Sequence, residues 1–137
     1  MKHINAIALF LASLVAAGHA SAQDHVAQAT IPFEFTVSGK LLPSGTYLIS
    51  SGMDLHYVEI RNTQQRIAIL SNVYASDAKA GNSELVFNKY GDQYFLSKIL
   101  CLSAQMNVEI PTSKLEKSVR SQEARLHGAE QTMVALK

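Results

Sequence analysis

Histidine, cysteine, serine and carboxylate side chains are the groups from which a site could be built here, and their spacing limits the chemistry. Beyond residue 22 the histidines are His25, His56 and His127, and the single cysteine is Cys101. A metal centre needs such groups at short or structurally paired spacing. The chain has no H-x-H, H-x₃-H or C-x-x-C, so no metal site and no cofactor is expected. Serine hydrolysis needs a histidine at the hydroxyl and an oxyanion pocket, and G-x-S-x-G does not occur. His56, between Leu55 and Tyr57, is the one histidine a strand could bring to a carboxylate, Asp54 or Asp92. A hydrolase using His56 ranks third among the functions considered, and the chain is read as not an enzyme. Neither G-x-G-x-x-G nor G-x-x-x-x-G-K is present, so no loop is built to cradle phosphate.

Two apolar groups are candidates for binding rather than catalysis. Phe87, Tyr90, Tyr94 and Phe95 bracket the turn Tyr90-Gly91-Asp92. They could face a glycan or peptide, since tyrosine joins an apolar body to a polar tip. They could equally be a cross-strand cluster that pins hairpin register, which is the preferred reading. Further on, Leu115, Val119, Gln122, Leu126, Ala129 and Met133 recur at alternating steps of four and three. That is one stripe of an amphipathic helix. Leu115, Val119, Leu126 and Met133 would either cover the sheet or meet a partner helix. A homodimer through this stripe would be weak, because Gln122 and Ala129 interrupt the seam. No aromatic anchor accompanies it, so binding to a membrane surface is not expected.

The elements that would hold these groups are mostly strands. Ile31 to Val37 alternates strictly, with Ile31, Phe33, Phe35 and Val37 on one face. Leu42-Pro43-Ser44-Gly45 is a tight turn, and segments 46–51 and 55–61 read as strands after it. Residues 67–74 are apolar enough to be buried on both faces, and 77–82 is the longest loop. Residues 84–89 and 93–102 form a hairpin about Gly91, and Met106, Val108 and Ile110 mark a weaker seventh strand. No helical pattern separates the strands, so the expected fold is mainly β. It is a six- or seven-stranded antiparallel meander closing as a small barrel or sandwich, plus one C-terminal amphipathic α-helix. Ser113-Lys114-Leu115-Glu116 is a capping box that starts the helix. The strands are too short and of the wrong number for an outer-membrane barrel, whose strands run to about 9–11 residues.

The N-terminus reads as an export signal. Met1-Lys2-His3 is a basic start, Ile4 to Gly18 is apolar, and His19-Ala20-Ser21-Ala22 supplies small residues where a signal peptidase reads them. As a helix the apolar run spans about 22 Å, short of the roughly 30 Å hydrocarbon core. Cleavage after Ala22 is expected, leaving no transmembrane anchor. The domain plan is then 1–22 signal peptide, 23–30 flexible leader, 31–110 antiparallel β domain and 111–137 C-terminal helix. Loss of Lys2 brings 12 basic and 11 acidic residues into balance, and a neutral domain has no broad electrostatic footprint for nucleic acid. An odd cysteine in an oxidising compartment is either buried and inert or an intermolecular handle. Cys101 sits among Ile99, Leu100 and Leu102, which favours burial.

Three stretches together resemble a known group: Ala29 to Ser50 (ATIPFEFTVSGKLLPSGTYLIS), Glu84 to Ile99 (ELVFNKYGDQYFLSKI) and Glu109 to Lys117 (EIPTSKLEK). They are similar to an uncharacterised family of small exported β-rich proteins abundant in acidobacteria, with the pattern IPFxFxVxxKxLPAGxY, LVFxxYGxxYFL and LPxSKxE. The order is the same over most of the exported chain. Ser44 stands where Ala is usual, and Ile99-Leu100-Cys101 where an aromatic residue is often seen. The resemblance implies export and a β-rich fold, and it implies no site. The expected function is an exported, non-catalytic envelope or secreted module, periplasmic or extracellular, that binds or scaffolds an unidentified protein or envelope partner. The alternative is a small barrel holding an apolar or glycan ligand.

Overall fold

The computed structural model describes residues 26–52, 54–79, 81–126 and 130–137. The segment expected to be a signal peptide, with its expected cleavage point, and His25, His127, Gly128 and Ala129 lie outside these residues. The elements in chain order are β1 (Val26–Ile31), β2 (Phe35–Val37), β3 (Lys40–Leu42), β4 (Gly45–Ser51), β5 (Tyr57–Asn62) and β6 (Ile67–Asn72). Then follow β7 (Tyr74–Ala75), β8 (Glu84–Tyr90), β9 (Gln93–Cys101), β10 (Met106–Glu109), α1 (Lys114–Glu123) and β11 (Glu130–Ala135). The protein is mainly β and mostly antiparallel, with one helix toward its C-terminal side, as its sequence leads one to expect.

One sheet has the order β1-β4-β5-β6, and a second runs β11-β8-β9-β10-β7 with β2 and β3 attached beside β9. Both are built round consecutive antiparallel strands, β4-β5-β6 and β8-β9-β10. They curl as a half-barrel about one core. Ala27, Ala29, Ile31, Tyr47, Ile49, Val58 and Ile60 from the first sheet meet Leu85, Phe87, Leu96, Ile99, Met106 and Val108 from the second. At one seam Gln28 and Lys137 exchange backbone hydrogen bonds of 3.0 and 2.8 Å, and Leu136 N–H bonds Ser83 O. Near the opposite side the chain passes from β6 into β7 through buried Val73, so one nearly continuous stretch serves both sheets.

Several expected boundaries are corrected. Ile31 to Val37 is not one strand: Ile31 ends β1 in the first sheet and Phe35 opens β2 in the second. Pro32 has no N–H to continue a ladder, so the chain crosses between sheets there. The expected face still holds, since Ile31, Phe35 and Val37 are buried and Phe33 packs against the core. Val26 to Thr30 is not a flexible leader but lies in β1, with Ala27, Ala29 and Ile31 turned inward. Alanine is too weakly apolar to make that alternation visible beside polar Gln28 and Thr30. The helix does not run through 111–137: α1 ends at Glu123, and residues 130–135 are a strand paired with β8.

Local devices explain the turns. Ser38 and Gly39, both at positive φ, form the two-residue link between β2 and β3, as primed hairpin turns require. Tyr47 donates to Pro43 O at 2.6 Å, tying the start of β4 to the turn before it. Gly45 leaves room for Asn62, since a Cβ there would lie 2.8 Å from its Nδ2. The Asn62 Oδ1 in turn accepts from Gln64 and Gln65 N–H and shapes the β5–β6 turn. A register shift between Val86 and Phe87 inserts one extra residue in β9. Bulges re-aim the side chains that follow, and 93–102 consequently lacks clean alternation.

Candidate functional site

α1 lies over the outer face of β8 and β9, and its docking is set by two residues. Ser113 Oγ accepts from Glu116 N–H at 3.1 Å, which is half of the expected capping box. The other half does not form. The Glu116 carboxylate is buried and accepts from Asn88 Nδ2 at 3.0 Å and from the Tyr90 hydroxyl at 3.3 Å. One turn later Val119 packs on Tyr90 and Phe95. Burial, and then the charge of Glu116, push the Tyr90 phenol above its ordinary value, with Arg120 opposing.

The expected partner stripe is therefore divided. Val119 is buried under the helix, whereas Leu115 is exposed on it. Leu126 lies beyond the helix and is 70% exposed, and Met133 is on β11 and 58% exposed. A helical seam joining all four does not exist, because the helix is too short to carry it.

The expected aromatic group is divided as well. Phe87 is in the core, edge-on to Phe33 at 5.2 Å and to Phe35 at 5.5 Å. Tyr90 and Phe95 pack together on the opposite face, 5.8 Å apart, beneath α1. Tyr94 stacks on Phe33 at 3.9 Å, with Lys89 Nζ 5.6 Å from its ring. Phe87, Tyr90 and Phe95 are each at most 4% exposed. Of the four, Tyr90 and Phe95 meet directly, whereas Phe87 and Tyr94 both pack on Phe33.

The residues considered for catalysis are separate. His56 is exposed at the entry to β5, and its backbone oxygen accepts from Val73 N–H. No hydrogen bond or ion pair joins its imidazole to a carboxylate among the described residues. Cys101 is buried as a free thiol, 3.3 Å from Ser103 Oγ. Among the described residues no three His, Cys, Asp or Glu side chains converge, and no helix is long and apolar enough to cross a membrane.

Two surface clefts stand out among the described residues. The larger, about 320 Å³, is lined by Ser38, Leu70, Ser71, Asn72, Pro111, Thr112 and Ser113. Here β6, the last strand of its sheet, faces the segment that leads into α1. Ser38 and Ser71, 33 residues apart, share a 2.6 Å hydrogen bond at its inner end. The sequence marked Ser113 as a helix cap and 67–74 as a strand but not their meeting, since only closure of the two sheets brings them together. The smaller cleft, about 160 Å³, lies among Val26, Leu48, Ser50, Glu59 and Arg61. Its one cation is engaged, because Arg61 Nε donates to Glu59 at 3.0 Å.

Beside β10, Lys98 lies 3.1 Å from Glu109, and Ser76 donates to the same carboxylate. The Lys98 ammonium holds the Glu109 carboxyl below its ordinary value, with burial opposing and Ser76 assisting. Asn107 Nδ2 bonds the carbonyls of Ser76 and Ala78, so this group anchors the 76–79 loop. Compared with known proteins, the chain finds no match: no family model, no curated protein and no solved structure matches it.

Proposed function

We infer that this protein is an exported, non-catalytic module of the cell envelope or secreted fluid, one that binds or scaffolds through its surface, and that it is a member of the small β-rich group its motifs resemble. The filled interior is the observation that carries this reading. Phe35, Tyr47, Ile49, Ile60, Phe87, Leu85, Ile99 and Met106 from both sheets are essentially without exposure. A barrel that holds a ligand is instead lined by side chains around a retained cavity. The two clefts described are open and lie at the surface, where a protein or envelope partner would be met. Export is supported by the basic start, apolar run and A-x-A of the first 22 residues.

Native mass spectrometry of protein isolated from its own cells, without refolding, tests both parts. The expected result is a polypeptide beginning at Gln23 with no small-molecule adduct. A chain that retains Met1 to Ala22 would overturn export. A non-protein mass that leaves on denaturation would overturn surface binding in favour of an apolar or glycan ligand inside the fold.

A further inference from the structure

We propose that the solvent face of α1 and the larger cleft beside it form one binding surface for an acidic polysaccharide, a linear chain of uronic-acid sugars. The proposal rests on the reading of this protein as a surface-binding module and names the class of its partner. Charge is the first observation. Lys114, Lys117, Arg120 and Arg125, on α1 and the turn after it, are all exposed. The two carboxylates of the same stretch turn to the sheet: Glu116 is buried on Asn88 and Tyr90, and Glu123 lies against Gly91. The ion pairs among the described residues, Arg61 with Glu59, Lys89 with Glu130 and Lys98 with Glu109, lie in the sheets and engage none of these four cations. Elsewhere in the described residues seven cations meet eight carboxylates, so the positive charge is local to this face.

Helix stability does not account for these cations. Lys114 and Lys117 are the first and fourth residues of α1, near the end where the helix dipole disfavours positive charge. They share a face with Ser121, three and four residues apart, opposite buried Glu116 and Val119. The cleft is the second observation. Its rim ends at Ser113, the residue before Lys114, and its lining carries no charge. Ser38 and Ser71 satisfy each other. Asn72 is engaged through its backbone oxygen, which leaves its side-chain amide, like the exposed Thr112 hydroxyl, open to a ligand. Across the β5–β6 ladder Asn72 stands opposite Tyr57, an exposed ring on the same face of the sheet.

The occupant follows from charge and lining together. A bilayer surface calls for apolar and aromatic anchors on the outward face of a helix, where this one has Lys114, Lys117 and Ser121. A protein partner calls for an apolar core within roughly 800 Å² per side, and here a charged ridge adjoins a narrow polar recess. An acidic glycan matches both parts. Its hydroxyls and C–H faces suit the uncharged cleft of about 320 Å³, with Leu70 and Pro111 in its wall and Tyr57 close by. Its carboxylates repeat along the polymer, as the cations repeat along a helix of ten residues, about 15 Å long. Lysine ammonium groups on flexible stems can follow such a chain.

The test is titration calorimetry of the protein isolated from its own cells with oligogalacturonides. Neutral malto-oligosaccharides, polyglutamate and phosphatidylglycerol vesicles serve as comparison probes. Saturable binding of the oligogalacturonide is expected, tighter than of any other probe by roughly ten-fold and weakened by salt, which screens exposed charge. Replacing both Lys114→Gln and Lys117→Gln should weaken it by about ten-fold, and Asn72→Ala by a few-fold. All three side chains are exposed, so the melting temperature should match the parent. A folded protein that does not bind the oligogalacturonide overturns the proposal, as does binding that survives the lysine replacements. Equal binding of polyglutamate or of the vesicles overturns it too, by assigning the face to acidic protein or to membrane. Failure of the underlying reading looks different: a ligand inside the fold resists a salt wash and leaves only on denaturation, whereas a glycan held on this face is released by salt.

Discussion

Tyr47 and Tyr90 show how single polar groups are held in a mostly apolar interior. Each is buried and each has its phenol pushed above the ordinary value of 10.0, chiefly by loss of solvent. Tyr90 donates to Glu116 and Tyr47 donates to Pro43 O, and both bonds need the neutral phenol. A group whose folded pKa is raised contributes stability that is full below its unfolded value and is lost as pH rises through the folded one. The melting temperature should thus hold up to about pH 10 and then fall as the phenols ionise. Phenolate absorbance followed along the same titration checks this. Full ionisation of all tyrosines with an unchanged melting temperature would show that these two bonds do not support the fold. Glu109 acts in the opposite direction, its lowered value favouring the fold above 4.5, but it is half exposed and its share is small.

Among the elements, α1 is the most lightly attached. Its ten residues reach the sheet through Glu116 and Val119, and Tyr90 receives both. Average propensity cannot hold a helix this short in water, so packing must do it. Glu116→Ala should leave Asn88 Nδ2 and the Tyr90 hydroxyl without their acceptor and cost about 1–3 kcal/mol. Urea unfolding with amide exchange over 114–123 measures it. The expected signature is faster exchange across α1 with β4, β5 and β6 unaffected. A loss spread evenly over both sheets would contradict local docking. The capping box identified where this helix begins, because Ser113 and Glu116 act within one turn. It did not show that the Glu116 side chain would turn to the sheet, since Asn88 and Tyr90 are 28 and 26 residues away.

For the whole molecule, the decisive contact is the seam at the C-terminal strand. β11 pairs with β8 along its length, and Lys137 then bonds Gln28 on β1, so the last residues tie the two sheets together. Removing 130–137 would expose the edges of β8 and β1 and the core residues Ala27, Ala29 and Leu85 behind them. The expected outcome is a loss of several kcal/mol, most of the roughly 5–15 kcal/mol typical of a domain, with binding of a hydrophobic dye and association at low concentration. Equilibrium unfolding of the shortened chain compared with the whole one decides the matter. An unchanged midpoint would mean that the sheets hold together without the seam.

What the amino-acid order determined alone was local. Period-two alternation placed the inward faces of Ile31 to Val37, Gly91 centred the β8–β9 hairpin, Ser113 started the helix, and the apolar setting of Cys101 matched its burial. These depend on neighbours a few residues apart, whose geometry is set by the backbone. Where the chain crosses between sheets, that 130–135 is a strand, and that Leu115 and Met133 share no helical face were decided by tertiary structure. The same holds for the cleft between Ser38, Ser71 and Pro111–Ser113. Each depends on which strand lies beside which, and a strand's hydrogen bonds and the far side of its burial come from residues distant in sequence, so a local pattern cannot specify them.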